Sequence, residues 1–365
     1  MIERDKEVLY LLSRCEGVGP ITMAKLLAQV EAPAELMNLK AGQLFEMLGK
    51  TAKQLEPFFG ADWRAKRLAE REKVELSGVK VLYKGAVDYP PNLMHIPDAP
   101  AVLYALGQNP SFNKKYLSIV GTRAMTVYAK KILQELLAHL DVDQVVIVSG
   151  LAKGVDACAQ SLAIEMGFEV ISVVAHGLDR TYPRDHLSLR RKIEQRGCTY
   201  SEFFNGVKPL AGHFVARNRI IAGLSEATLI VDSAQSGGSL TTAHFAFGYE
   251  RTLLAVPGRL TDRYSLGCNR LIGEMKALLY AGPETLIEAL QLQRVDRQKS
   301  AAQKQQFKTE ADKTLFAYLL KNGRAYPSQL LRYVDLEKQQ LYGALLTLTL
   351  EGAIVHHNDN SYEVL

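Results

Sequence analysis

Five short apolar runs constrain the fold more than anything else in the chain. YLSIVG, QVVIVSG, EVISVVAHG, ATLIVDS and TLLAVPG recur between residue 116 and about residue 290, with helical stretches between them. Near-continuous apolar strands are those buried on both faces, so the alternation predicts an α/β fold with a doubly wound parallel Rossmann-like sheet. Loops that follow the carboxyl ends of parallel strands share one edge. Gly121-Thr122-Arg123, Ser149-Gly150, Lys153, Asp179-Arg180, the Ser236 to Ser239 loop and Pro257-Gly258 can therefore converge although they are distant in sequence.

The stretch from Arg217 to Gly258 concentrates the chemistry. A helix with a basic head, RNRIIAGLS, leads to the strand ATLIVDS, the small-residue loop Gln235 to Ser239, and a helix that begins LTTAHF. Small residues free backbone N–H groups for close approach, and a helix start adds partial positive charge, so the stretch reads as a phosphate cradle. Arg123, Lys153, Arg217 and Arg219 supply four cations along the same edge. Arginine makes a planar two-pronged contact and lysine tolerates many phosphate geometries. Each cation alone is an ordinary surface or ion-paired group; their shared position at strand ends suggests a track for a nucleic-acid backbone. Asp156 opens a helix and reads as a cap, Asp232 ends a strand and reads as a loop holder, and His176 and His244 read as packed or hydrogen-bonded side chains.

Several chemistries lack their signatures. No GxxxxGK[ST], GxGxxG after a strand, HExxH or GxSxG occurs, which leaves anion donors without a nucleophile and base. No catalytic residue, metal or cofactor is expected. The competing reading is a nucleotide-binding enzyme such as a nucleoside-monophosphate phosphoribohydrolase, because SGGSLTTA is loosely similar to a PGGxGT loop. The net charge of +5, from 44 Lys+Arg and 39 Asp+Glu, permits a polyanionic partner without demanding one. Cys15, Cys158, Cys198 and Cys268 lie far apart and make no CxxC pair, as reduced thiols do in a cytoplasmic protein. No run has the length of a signal or membrane span. The expected location is the cytoplasm.

Along the chain, residues 1–80 predict a helical domain. Its GVGP turn is SAM- or helix-hairpin-helix-like, and its charged segment ADWRAKRLAEREKVELSG reads as a solvated helix face. Residues 81–291 form the extended Rossmann-like domain, entered through the proline-rich connector DYPPNLMHIPDAP. Residues 292–308, rich in Gln, Lys and Arg, read as a linker. Residues 309–365 predict three helices and two short strands around a turn from His357 to Asn360, the order of a winged helix. Its third helix is poor in basic side chains, which leaves DNA and protein both open as its target.

Taken in order, IVGTR, SGLAKGVDACAQ, GLDRTYP, RNRIIAGLS, SGGSLTTA, AVPG and GCNRLI resemble the DNA-processing protein A family, also called DprA or Smf. The resemblance covers about residues 80–290, and it is specific as a set. It implies a homodimeric single-stranded DNA-binding protein of natural transformation, or competence, that protects incoming DNA and helps load the RecA recombinase for DNA recombination. It also implies DNA contacts from Gly121, Thr122 and Arg123, from Ser149, Gly150 and Lys153, from Arg217, Asn218 and Arg219, and from Ser236, Gly237, Gly238, Ser239 and Thr242. Bases would sit in shallow pockets near the strand ends, with little sequence selectivity.

Overall fold

The computed structural model describes residues 1–39, 43, 53, 55–293, 307–357 and 359–364. Nine strands make the main sheet: β1 (Lys80–Tyr83), β2 (Val102–Gly107), β3 (Lys115–Val120), β4 (Val145–Ser149), β5 (Glu169–Val174), β6 (Cys198–Ser201), β7 (Ala227–Ile230), β8 (Thr252–Ala255) and β9 (Leu278–Leu279). Their order is β1-β2-β6-β5-β4-β3-β7-β8-β9. All neighbours from β6 to β9 are parallel, while β1 and β2 close one side antiparallel. The expected Rossmann-like α/β sheet is present, and its strand order reverses between β3 and β7, where open parallel sheets place their ligand crevice.

The apolar runs divide their side chains between two layers. Leu117, Ile119, Val145 and Ile147 pack with the helices Val127–His139 and Val155–Glu165. Val146, Val148, Ile171 and Val173 pack on the opposite face with the helix Ala211–Leu224. β6 departs from the expected pattern, because Cys-Thr-Tyr-Ser has no apolar run. Its Ser201 hydroxyl nevertheless satisfies itself in the core by donating to the His176 carbonyl at 2.7 Å.

One expected boundary is not seen. The described chain divides into two compact units, Met1–Leu292 and Gln293–Leu365, so residues 1–80 are not separate from the sheet. The physical reason is a shared core. Val8, Leu9, Tyr10 and Leu12 of the helix Glu3–Ser13 join the same apolar cluster as Val81, Tyr83 and Tyr104 of the sheet. The Arg14 guanidinium also lies 3.8 Å over the Phe204 ring. In the GVGP turn, Gly17 takes a positive φ of 79° and Pro20 opens the helix Pro20–Leu27.

Of the proposed linker, residues 294–306 lie outside the described residues. The second unit orders the helices Glu310–Asn322, Pro327–Tyr333 and Lys338–Leu350 before an antiparallel pair, β10 (Ile354–His356) and β11 (Tyr362–Val364). The turn between the strands includes residue 358, also outside the described residues. Leu315, Leu330, Leu345 and Leu348 give this unit its own core. Among the described residues, no helix is long and apolar enough to cross a membrane.

Candidate functional site

The loops after β3, β4 and β7 touch one another at the switch point. Asp232, just past β7, accepts the Thr122 amide on its carbonyl at 2.8 Å, and its carboxylate accepts both the amide and the hydroxyl of Thr126, at 3.0 and 2.9 Å. The reading of Asp232 as a loop holder is therefore correct. Val155 donates its amide to the Thr122 carbonyl at 3.2 Å, which seats the Lys153 loop against the Arg123 loop. Gly154 has a φ of +80°, and a Cβ there would lie 2.3 Å from the Thr122 carbonyl oxygen. Only glycine allows that approach.

The four cations do not share one fate. Arg123 and Lys153 are exposed at the loop tips. Arg217 and Arg219 are each only 4% exposed, and this corrects the expectation that both line the groove. Arg217 donates to the carbonyls of Gly150, at 2.6 Å, and Val173. Asp156 accepts the Gly150 amide at 3.0 Å, so a buried cation and a buried carboxylate grip the same residue. A Cβ on Gly150 would lie 2.5 Å from an Arg217 guanidinium nitrogen, which is why glycine stands there. Burial lowers the Arg217 pKa to about 10, against the favourable charge of Asp156 and together with the repulsive charge of Arg123; the group stays protonated at neutral pH. Burial likewise raises the Asp156 pKa, opposed by Arg217 and by backbone N–H groups.

Arg219 faces away into a different network. It donates to both carboxylate oxygens of Glu202 at 2.5 and 2.6 Å, and its Nε lies 3.8 Å from Asp98. Tyr249 donates to the other Asp98 oxygen at 2.5 Å. Arg219 thereby ties the proline-rich connector and the segment after β6 to the core, with burial raising the Glu202 pKa against the pull of Arg219.

Several other expected contact residues are spent on structure too. Ser149 is buried and donates to the Ile119 carbonyl at 2.6 Å, because β4 lies between β3 and β5. Ser239 donates to the Ser233 hydroxyl at 2.8 Å, and Thr242 is buried on the inner face of the helix Ser239–Gly248. Gly150 is buried beneath Arg217. Gly121 and Thr122 are half-buried, and Ser236 and Gly238 are exposed, with Gly237 between them half-buried. Asn218 bridges the two halves of the site. It accepts from Arg217 at 3.1 Å and donates to the Gly238 carbonyl at 3.4 Å. His176 is buried with its Nδ1 on the Gly177 carbonyl at 2.9 Å, whereas His244 is exposed on its helix, its ring 6.5 Å from that of Phe245. Burial, with Arg190, Arg217 and Arg180 nearby, depresses the His176 pKa.

Sequence reasoning missed the aromatic part of this edge. The helix Ala211–Leu224 begins six residues before Arg217, which puts Phe214 one turn before that arginine. The Arg123 guanidinium lies 5.6 Å from the Phe214 ring centroid, the Arg217 guanidinium 5.9 Å, and Tyr182 meets the ring edge-on at 5.7 Å. Lys153 pairs with Asp185 at 3.5 Å, three residues after Tyr182. A shelf results, with exposed Arg123 beside Phe214, Lys153 linked to the Tyr182 segment through Asp185, and the loop Ser236 to Gly238 joined to Arg217 through Asn218. The signal was the spacing of Phe214 and Arg217, visible once the helix start is known.

The family model for DNA recombination-mediator protein A matches residues 80–291. The chain is 36% identical over 200 residues to the DNA processing protein DprA of Streptococcus pneumoniae, covering 55% of this chain and 71% of that protein. It is 37% identical over 204 residues to the protein Smf of Escherichia coli, covering 56% and 54%. The X-ray structure of DprA from Streptococcus pneumoniae superposes with a TM-score of 0.64 at 28% identity, over 80% of this chain and 99% of that one. The DprA structure from Helicobacter pylori, whose subject is its single-stranded DNA binding mode, superposes with a TM-score of 0.50 at 29% identity, over 58% and 95%.

Proposed function

The chain belongs to the DNA recombination-mediator protein A family, and from that premise we propose that it binds single-stranded DNA in natural transformation, protects it and delivers it to the RecA recombinase. The observation that carries the reading is the Phe214 ring beside exposed Arg123, whose loop is bonded to the Lys153 loop. Every base has a π-face, so an aromatic ring beside cations binds single strands with little regard to sequence. A duplex hides those faces in its stack. Asp156 and Asp232 are committed to holding loops, which removes these two carboxylates from acid–base work and weighs against a nucleotide hydrolase.

The test is fluorescence anisotropy with labelled oligo-dT over a range of salt. Arg123→Ala and Lys153→Ala are each expected to weaken binding and to make the salt slope shallower by about 0.7 for each phosphate left without its cation. Parental affinity and slope in both variants would withdraw this assignment of the site.

The homodimer belongs to the same proposal. β9 is an edge strand whose Leu278 and Leu279 are exposed, and Met275 (89% exposed) and Phe247 (50%) stand beside it. An apolar sheet edge without a partner is a liability in a monomer, and a second copy covers it by symmetry. Sedimentation is expected to give the dimer mass for the parent and the monomer mass for Leu278→Glu. We read residues 309–365 as a winged helix on its order of elements. The exposed Tyr342, Leu346 and Leu350 on its third helix suit a protein partner better than base edges.

A further inference from the structure

A second basic concavity borders the segment that carries Tyr182. The turn Leu178 to Thr181, the 3₁₀ turn Arg184–His186 and the helix Leu187–Arg196 enclose about 480 Å³. Arg180, Arg184, Arg190 and Arg191 line it, with the carboxylates of Asp179 and Glu194. Both carboxylates are already used. Glu194 accepts from Arg190 at 2.6 Å, and Asp179 accepts from Arg180 and from the Gly206 amide, both at 2.9 Å.

The cations are not balanced in the same way. Arg190 is buried and holds the turn, donating to the Arg180 carbonyl, to the Leu178 carbonyl at 2.8 Å and to the Thr181 hydroxyl at 3.3 Å. Arg184 and Arg191 are exposed and have no ion pair among the described residues. The Arg180 Nε is buried with no hydrogen-bond partner among the described residues. A buried orphan donor beside two unpaired guanidinium groups calls for an acceptor that is anionic and carries several oxygens.

The segment between the two sites is shared. Tyr182 meets Phe214 and Asp185 meets Lys153, while Arg180 and Arg184 line the concavity. We propose that Arg180, Arg184 and Arg191 form a further phosphate subsite, which takes the backbone of the same single strand where it leaves the Phe214 shelf across Tyr182. The inference rests on the single-strand reading above and adds a footprint to it. It extends the strand's path to residues outside the loops after β3 and β7.

The experiment compares two lengths of labelled oligo-dT, one of roughly 4–6 nucleotides and one of about 16, on the full chain and on Arg184→Ser/Arg191→Ser. Both residues are exposed and unpaired, so the double variant is expected to melt like the parent. The short oligonucleotide is expected to bind both proteins within about twofold, while the long one binds the variant about tenfold more weakly, with a salt slope shallower by about 1.4. Unchanged binding of the long oligonucleotide overturns the proposal, and so does an equal loss for both lengths. Pyrophosphate supplies a third arm. Its displacement by the long but not the short oligonucleotide supports the subsite, whereas pyrophosphate that stays bound under saturating long strand overturns it. If the parent bound neither length, the single-strand reading itself would fall, and that result is distinguishable from a loss confined to the long strand.

Discussion

Two regions of this molecule carry arginine at the same sheet edge and use it in opposite ways. In the helix Ala211–Leu224, Arg217 and Arg219 are buried and bonded to carbonyls or to Glu202. In the loops after β3 and β4, Arg123 and Lys153 reach solvent, and among the described residues Lys153 has only an exposed pair with Asp185. The same residue type builds the scaffold in one place and stands in solvent in the other, where the proposed function uses it to meet DNA. Burial decides which, because a buried guanidinium must spend its donors inside the protein.

That contrast is sharpest in stability. Arg219→Ala leaves the half-buried carboxylates of Glu202 and Asp98 without their cation, and because both still reach solvent the loss lies at or below the low end of the about 3–5 kcal/mol that breaking a fully buried pair costs. Urea denaturation is expected to show that loss, whereas Arg123→Ala is expected to leave the midpoint unchanged. Equal midpoints for the two variants would erase the distinction.

A smaller effect is expected in binding. Phe214→Ala removes the ring between the two regions and is expected to cost about 1–3 kcal/mol in affinity for oligo-dT, read by anisotropy, with the salt slope nearly that of the parent. A flattened slope with kept affinity would mean that phosphates, not stacked bases, occupy the shelf. The smallest effect belongs to Asp185→Asn. Asp185 competes with phosphate for Lys153 across an exposed pair, so its neutral variant is expected to bind single strands tighter by a few tenths of a kcal/mol at low salt, the gain fading as salt rises. Weaker binding would show instead that Asp185 holds Lys153 in place for the strand.

How much of this was legible before folding differs from one element to the next. β3, β4, β5, β7 and β8 each announced themselves as apolar runs, since a strand covered on both faces has no solvent side to mark. β6 did not, because its Cys198, Thr199 and Ser201 are polar or small yet buried, with the Ser201 hydroxyl bonded to the His176 carbonyl and the Thr199 hydroxyl left without a partner among the described residues. Arg123 and Lys153 were identified from their positions at strand ends, and they are exposed there. Arg217 and Arg219 were identified on the same argument, and the helix turned both inward. Nothing in RNR says which way a helix faces, since its register against the sheet is set by Ile220, Ile221 and Leu224 packing into the opposite layer.

The sequence by itself determined the class of sheet, the order of its loops along one edge and the family, because strand burial and small-residue turns are local demands that must be written residue by residue. The tertiary structure alone decided which cations remain free, that Phe214 and Tyr182 meet beside them, and that the first helices share the core of the sheet. Those outcomes depend on which carboxylate or carbonyl reaches each side chain across the fold, as Glu202 reaches Arg219 and Gly150 reaches Arg217. Meetings between residues so distant in the chain leave no periodic trace in it.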